Sequence, residues 1–212
     1  MLEKGIYFVT GIDTDAGKSY ATAILAKKNI ESGKSVITQK FIQTGCSDTI
    51  SEDVLTHRRI MGLPLQDVDI QGATSPQIFK FPASPHLAAR LENREIDLNK
   101  IKEWTKILAQ KYDIVLIEGA GGLLVPITEN YLTADYITDN KLNVIIVTSP
   151  RLGSINHTLL TMEVCKARNI AISALVYNHF PPDANKIIAD DTLCFLKKRY
   201  PDIPIYETEF IK

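Results

Sequence analysis

Nine residues near the amino terminus, GIDTDAGKS from Gly11 to Ser19, combine side-chain types that handle phosphate. They follow an apolar run of strand length and precede a helix-forming run. Strand, loop, Gly-Lys-Ser and helix form the context in which backbone N–H groups and a helix amino terminus cradle an anion. There Lys18 supplies positive charge, and the Ser19 hydroxyl can ligate Mg²⁺. The spacing departs from the usual pattern, because five residues separate Gly11 from Gly17 and Ile12 stands at the expected first glycine. Two acids, Asp13 and Asp15, lie inside this loop. Beside a triphosphate they repel it unless a metal ion or a cationic substrate such as a diamine offsets them.

Three more residues join this set through their positions. Lys40 ends a second apolar strand, and Thr44 and Gly45 follow it, where a lysine can reach a transferring phosphoryl group. Asp53 lies in Ser-Glu-Asp at a helix start, a sequence that equally suits an N-cap. Glu118 ends the apolar run IVLIE, where a carboxylate is costly unless it faces a cation. With Ser19 and Asp53 it gives magnesium a set of oxygen ligands to be shared with phosphate and water. Gly119, Gly121 and Gly122 then allow close backbone approach to a ligand.

These residues need strands and helices to position them. Apolar runs predict strands at Ile6–Thr10, Ser35–Gln39, Ile114–Glu118, Val144–Thr148 and Ser173–Tyr177, with a weaker one at Ile203–Tyr206. Helical patterns fall at Lys18–Glu31, Glu52–Met61, Pro85–Leu91, Leu98–Lys111, Ile155–Arg168 and Ala184–Arg199. IVLIEG and VIIVTS lack polar alternation, as strands buried on both faces do, so the expectation is a mostly parallel sheet in a three-layer α/β/α sandwich. Ligands of such sheets collect at the carboxyl ends of the strands. The stretch from Pro64 to Pro85 has little periodicity and is expected to run irregularly over a sheet edge or the site mouth.

At 212 residues, a single domain spanning 1–212 is expected. The hydrophobic share is 45%, and no stretch approaches the roughly 20 apolar residues of a membrane helix. The start, MLEKGIYFVTG, carries no export-signal pattern, so a cytoplasmic location is expected. A net charge of −1 offers no general field for nucleic acid and favours small-molecule partners. Cys46, Cys165 and Cys194 are widely spaced without a CxxC pair, and His57, His86, His157 and His179 show no helical ligand spacing. The expectation for them is reduced thiols and surface or satisfied polar histidines.

The ordered set GIDTDAGKS, KFIQTG, SPHLAA, VLIEGAGGLLVPI, LGSINHTLLT and YNHFPP resembles the dethiobiotin synthetase family, a branch of the P-loop NTPases, from the amino terminus to about Pro182. Asp15 stands where the family commonly has glutamate, Ser19 where it has threonine, and Phe41 where proline usually follows the lysine. The resemblance implies a homodimer that uses ATP and Mg²⁺ to carboxylate 7,8-diaminononanoate with CO₂ and close the ureido ring of dethiobiotin, with the site at the subunit interface. Lys40 and Lys18 are then catalytic. Asp15, Ala16, Gly17, Lys18, Ser19 and Tyr20 hold the nucleotide, with Asp53 and the Glu118, Gly119, Ala120, Gly121 segment. Asn178, His179 and Pro204 meet adenine. Thr14, Thr44, Gly121, Gly122, Gly153 and Asn156 bind substrate, Gly153 and Asn156 gripping its distal carboxylate across the interface, and Ser19, Asp53 and Glu118 bind the metal.

Other P-loop classes lack support in the sequence. NKLN at Asn140 to Asn143 misses the final aspartate of the guanine motif NKxD, and Asp13 occupies the place of the extra lysine of partitioning ATPases. A related amide-forming synthetase on another acid or amine shares the same fold-level logic.

Overall fold

The computed structural model describes residues 1–179 and 185–208. Six strands form one parallel sheet: β1 (Gly5–Gly11), β2 (Val36–Lys40), β3 (Ile114–Glu118), β6 (Asn143–Thr148), β7 (Ile172–Asn178) and β8 (Ile205–Thr208). Their spatial order is β2-β3-β1-β6-β7-β8. Between them run α1 (Lys18–Glu31), α2 (Glu52–Met61), α3 (Asp67–Ile70), α4 (Pro85–Leu91), α5 (Leu98–Lys111), α6 (Thr133–Asp139), α7 (Ser154–Ala167) and α8 (Lys186–Arg199). The short strands β4 (Pro126–Thr128) and β5 (Tyr131–Leu132) pair antiparallel beside the sheet.

Parallel neighbours need crossover connections, and these are right-handed. The chain steps outward from β1 to β2 and then back to β3, so its direction along the sheet reverses, and α1 and α5 fall on opposite faces. The result is the expected α/β/α sandwich. Ile114 to Ile117 are fully buried, which is why the run shows no alternation. Phe8, Phe41 and Tyr136 pack together under the site, with ring centroids 5.3 Å and 4.6 Å apart for Phe8–Phe41 and Phe41–Tyr136.

Local signals set the helix that matters most for the site. Ser51 caps α2, its hydroxyl accepting from the Asp53 and Val54 amides, and this fixes Asp53 in the first turn. The stretch after Pro64 lies along the exposed flank of β2, with the Lys40 amide donating to the Thr74 carbonyl and the Gln43 amide to Gln77. It thereby covers a sheet edge that water or another chain would otherwise reach.

Some elements differ from expectation. The seventh helix starts and ends one residue early, and α3, α6 and the β4–β5 hairpin were not predicted. α3 has four residues and the hairpin strands two or three, too short for a hydrophobic period to register. Residues 180–182 of the YNHFPP motif, Ala184 of the last predicted helix, and the tail 209–212 lie outside the described residues.

Candidate functional site

The amino-terminal loop folds as a single 3-10 turn, Thr14–Ala16, followed by Gly17 at φ 79°. That left-handed backbone needs glycine, and it turns the chain sharply into α1. A Cβ there would also overlap the Asn178 amide nitrogen. Lys18 begins α1, and its ammonium folds back on the loop, donating to the carbonyls of Asp13 (3.0 Å) and Thr14 (3.1 Å). Burial pulls its pKa down to about 8, with the nearby Lys40 charge adding to the effect.

β2, β3, α1 and α2 deliver four groups to one point. Register pairs Lys40 with Glu118 across neighbouring parallel strands. The Lys40 ammonium lies 2.8 Å from Glu118 Oε1 and also ion-pairs with Asp53. Ser19 Oγ is 2.9 Å from Asp53 Oδ1 and 2.8 Å from Glu118 Oε1. Glu118 is almost wholly buried; burial alone would raise its pKa, but the charge of Lys40 and the His57 bond hold it well below the usual carboxylate range. Burial likewise works against a charged Lys40, and the charges of Glu118 and Asp53 outweigh it, leaving its pKa above the ordinary lysine value.

This cluster tests the metal expectation. One Ser19 proton serves two carboxylate oxygens, so the three oxygens have more acceptors than donors and require a cation, a role the Lys40 ammonium fills here. Hard oxygen donors, two of them anionic, suit Mg²⁺, which binds through one or two carboxylates plus phosphates and water.

A cavity of about 490 Å³ opens over these groups, lined by Thr14, Asp15, Gly17, Lys18, Ser19, Tyr20, Lys40, Thr44, Asp53, Glu118, Ala120 and Gly121. Thr14, Thr44, Ala120 and Gly121 also face a second hollow bordered by Ser84 and Pro85, which brings the SPH segment beside it. Gly122 lines an adjoining cleft with Asp13, Thr14 and His157. Ala16 is fully buried behind the loop, and Gly119 sits where a Cβ would meet the Phe8 ring, so this pair shapes the backbone.

Other predicted residues stand apart. Gly153 and Asn156 line a separate, largely apolar cavity of about 580 Å³ between α7 and α8, next to exposed Leu152 and Ile187. Asn178 is buried; its Nδ2 donates to the Ala16 carbonyl and its Oδ1 accepts from Thr208, tying the phosphate loop to the sheet. His179 packs on Tyr177 and meets Glu207. Pro204 is not brought to the loop: it precedes β8, its carbonyl accepting from Leu175. Four residues of strand, roughly 13 Å at 3.3 Å each, separate it from Thr208 at the carboxyl edge. The registration of the last strand, which begins two residues later than predicted, accounts for that displacement.

Two site residues escaped the sequence reading. Arg151, in the loop after β6, ion-pairs with Asp13, so the loop acid is offset by a protein cation, and the guanidinium bond holds the Asp13 carboxyl below its usual pKa. His57 is fully buried, with Nε2 2.6 Å from Glu118 Oε2. Its spacing of four from Asp53 puts both on one face of α2, the one available signal.

A family profile described as an AAA domain matches residues 6–199. ATP-dependent dethiobiotin synthetase BioD 2 of Haemophilus influenzae is 53% identical over 176 residues, 83% of this chain and 92% of its own. Its counterpart in Pasteurella multocida is 50% identical over 193 residues, 91% of this chain and 90% of its own. The chain belongs to the dethiobiotin synthetase family. Among solved structures, a putative plasmid partition protein from Borrelia burgdorferi aligns over 100% of this chain and 88% of its own, with a TM-score of 0.58 at 16% identity. A ParA family ATPase from Chlorobium tepidum aligns over 97% and 84%, at 0.54 and 17%. At that identity they show that this dethiobiotin synthetase family member has the P-loop NTPase fold.

Proposed function

We propose that this chain is an ATP-dependent dethiobiotin synthetase of biotin biosynthesis, a ligase that carboxylates 7,8-diaminononanoate with CO₂ and closes the ureido ring, releasing ADP and phosphate. The observation that carries it is the convergence of Lys18, Lys40, Ser19, Asp53 and Glu118 on one cavity, in a chain half identical to named synthetases. In the proposed reaction, CO₂ adds to one amine to give a carbamate. Its oxygen attacks the γ-phosphorus as the bond to ADP breaks, giving a carbamic-phosphoric anhydride. The second amine attacks the anhydride carbonyl, phosphate leaves, and the ring closes.

This chain's part is mainly charge and placement. Lys18 leaves its loop carbonyls for the phosphates, and Lys40 sits across the cavity to meet negative charge on the transferring group. Ser19, Asp53 and Glu118 hold Mg²⁺, which when bound neutralises phosphate charge. Thr14, Thr44 and Gly121, at the seam of the two hollows, hold the diamine so that ring closure is effectively intramolecular. The remaining roles complete the proposal: Asp15 to Tyr20 and Gly119 to Gly121 around the nucleotide, Asn178 and His179 toward the base. A homodimer then lets Gly153 and Asn156 serve the partner's substrate, with 1–212 as one cytoplasmic domain.

The test is phosphate release from ATP and Mg²⁺ with bicarbonate, with and without 7,8-diaminononanoate, and the product's mass recorded. Diamine-dependent release with the mass of dethiobiotin supports the proposal. Release indifferent to the diamine points to a switch ATPase and refutes it.

A further inference from the structure

His57 lies one turn after Asp53 on α2, fully buried against Glu118. Its Nδ1 is 3.0 Å from Thr38 Oγ1 and its Nε2 is 2.6 Å from Glu118 Oε2. The neighbours decide which nitrogen carries the proton. Ionised Glu118 can only accept, which puts a hydrogen on Nε2 and leaves Nδ1 of the uncharged tautomer as the acceptor; Thr38 Oγ1, which accepts from Arg58 Nη1 at 2.7 Å, has its own hydrogen available for that Nδ1. The Nε2 hydrogen of a neutral ring then donates to Glu118. Arg58 is in turn fixed by Asp69 through two bonds of 2.8 Å and 2.7 Å. Asp69 also accepts from Thr74 Oγ1 (2.6 Å) and the Gln66 amide (2.8 Å). A continuous buried chain therefore runs from the segment along the sheet edge to one oxygen of Glu118.

The two oxygens of Glu118 are thereby divided. Oε2 is held by His57, while Oε1 faces Ser19 and Lys40. The terminal torsion of a glutamate is broad and two-fold, so the backbone alone does not fix its plane. We propose that His57 is a positioning residue that locks Glu118, so that Oε1 is presented to the metal and to Lys40 in a single orientation. The proposal rests on the assignment of Glu118 as a magnesium ligand. Such outer partners of metal-binding carboxylates typically contribute 10–100-fold in affinity, though they never touch the ion.

The experiment measures Mn²⁺ binding by electron paramagnetic resonance in the presence of ADP, for the full chain and four variants. His57→Leu deletes the bond, His57→Asn keeps a group facing Thr38 but falls short of Glu118, and His57→Gln returns an amide donor near the Nε2 position. Leu and Asn should weaken Mn²⁺ about tenfold or more, and Gln should recover most of that loss. The Mg²⁺ concentration for half-maximal turnover should rise in parallel, while KM for the diamine stays near wild type. Asn retains a polar group in the buried site, so the Asn–Gln comparison stands even if Leu fails to fold. Equal Mn²⁺ affinity for Asn and Gln overturns the proposal. Glu118→Gln separates the two levels: if it binds Mn²⁺ as wild type does, the magnesium assignment fails and the proposal with it. If Glu118→Gln weakens binding and His57→Asn does not, only the role of His57 falls.

Discussion

Lys40→Met keeps an aliphatic stem of similar length and deletes the ammonium that lies 2.8 Å from Glu118. At that separation an effective dielectric of about 20 gives an attraction of about 6 kcal/mol. Part of this is cancelled because the lysine was itself desolvated, its side chain being 7% exposed. What the variant leaves behind is Glu118 at 1% exposure with the neighbouring Asp53, without their contacting ammonium and with only the more distant Lys18 charge and the His57 and Ser19 hydrogen bonds to offset them. Removing one partner of a buried pair costs about 3–5 kcal/mol. In a chain of 212 residues each kcal/mol moves Tm by about 2–4 °C, so a fall of roughly 10 °C is expected. Adding Glu118→Gln on top should restore much of the loss, because the orphaned charge is then gone. Mg²⁺ with ADP should also raise the Tm of Lys40→Met more than that of wild type, the ion taking over the counter-charge. Calorimetric melting at pH 7 of wild type and both variants, with and without Mg²⁺ and ADP, checks each step. A Lys40→Met protein melting within about 2 °C of wild type would refute the reasoning, since a buried carboxylate that loses its contacting counter-charge cannot be that cheap.

Lys18 makes the remaining predictions begin with pH. Its folded pKa of about 8 lies below the ordinary 10.5, so between those values the unfolded chain holds more protons and stability rises with pH. ATP favours the charged lysine, so affinity for ATP should fall by up to about tenfold per pH unit above pH 8, read by titration calorimetry; an affinity flat from pH 7 to 9.5 would contradict it. Gly17→Ala should lose ATP binding and about 1–3 kcal/mol of stability, because φ is 79° and the new Cβ meets an Asn178 amide anchored at both ends. Urea unfolding and nucleotide binding measure the two effects. Asn156→Ala should raise KM for the diamine several-fold and leave that for ATP nearly unchanged; the reverse pattern would remove Asn156 from the substrate's side.

The sequence by itself determined the sheet and its chemistry. Long apolar runs such as IVLIE can be buried only with both faces covered, and Gly-Lys-Ser between a strand and a helix fits a phosphate loop, so β1, β3, α1 and the placement of Lys18 and Ser19 at one cavity were legible. Glu118 announced itself because an acid at the end of such a run needs a cation. Tertiary structure decided what pairs with what. Nothing local to Asp13 names Arg151, 138 residues away, as its counter-ion, and only the parallel register of β2 on β3 sets Lys40 against Glu118. His57 looked like an ordinary histidine because a side chain's partners depend on which helix face meets which strand end. The position of Pro204 was hidden for the same reason, since a shift of two residues in the last strand set it at the strand's start, away from the phosphate loop. Residue type and period are local properties of a chain, while ion pairs and register are settled only when distant segments are packed together.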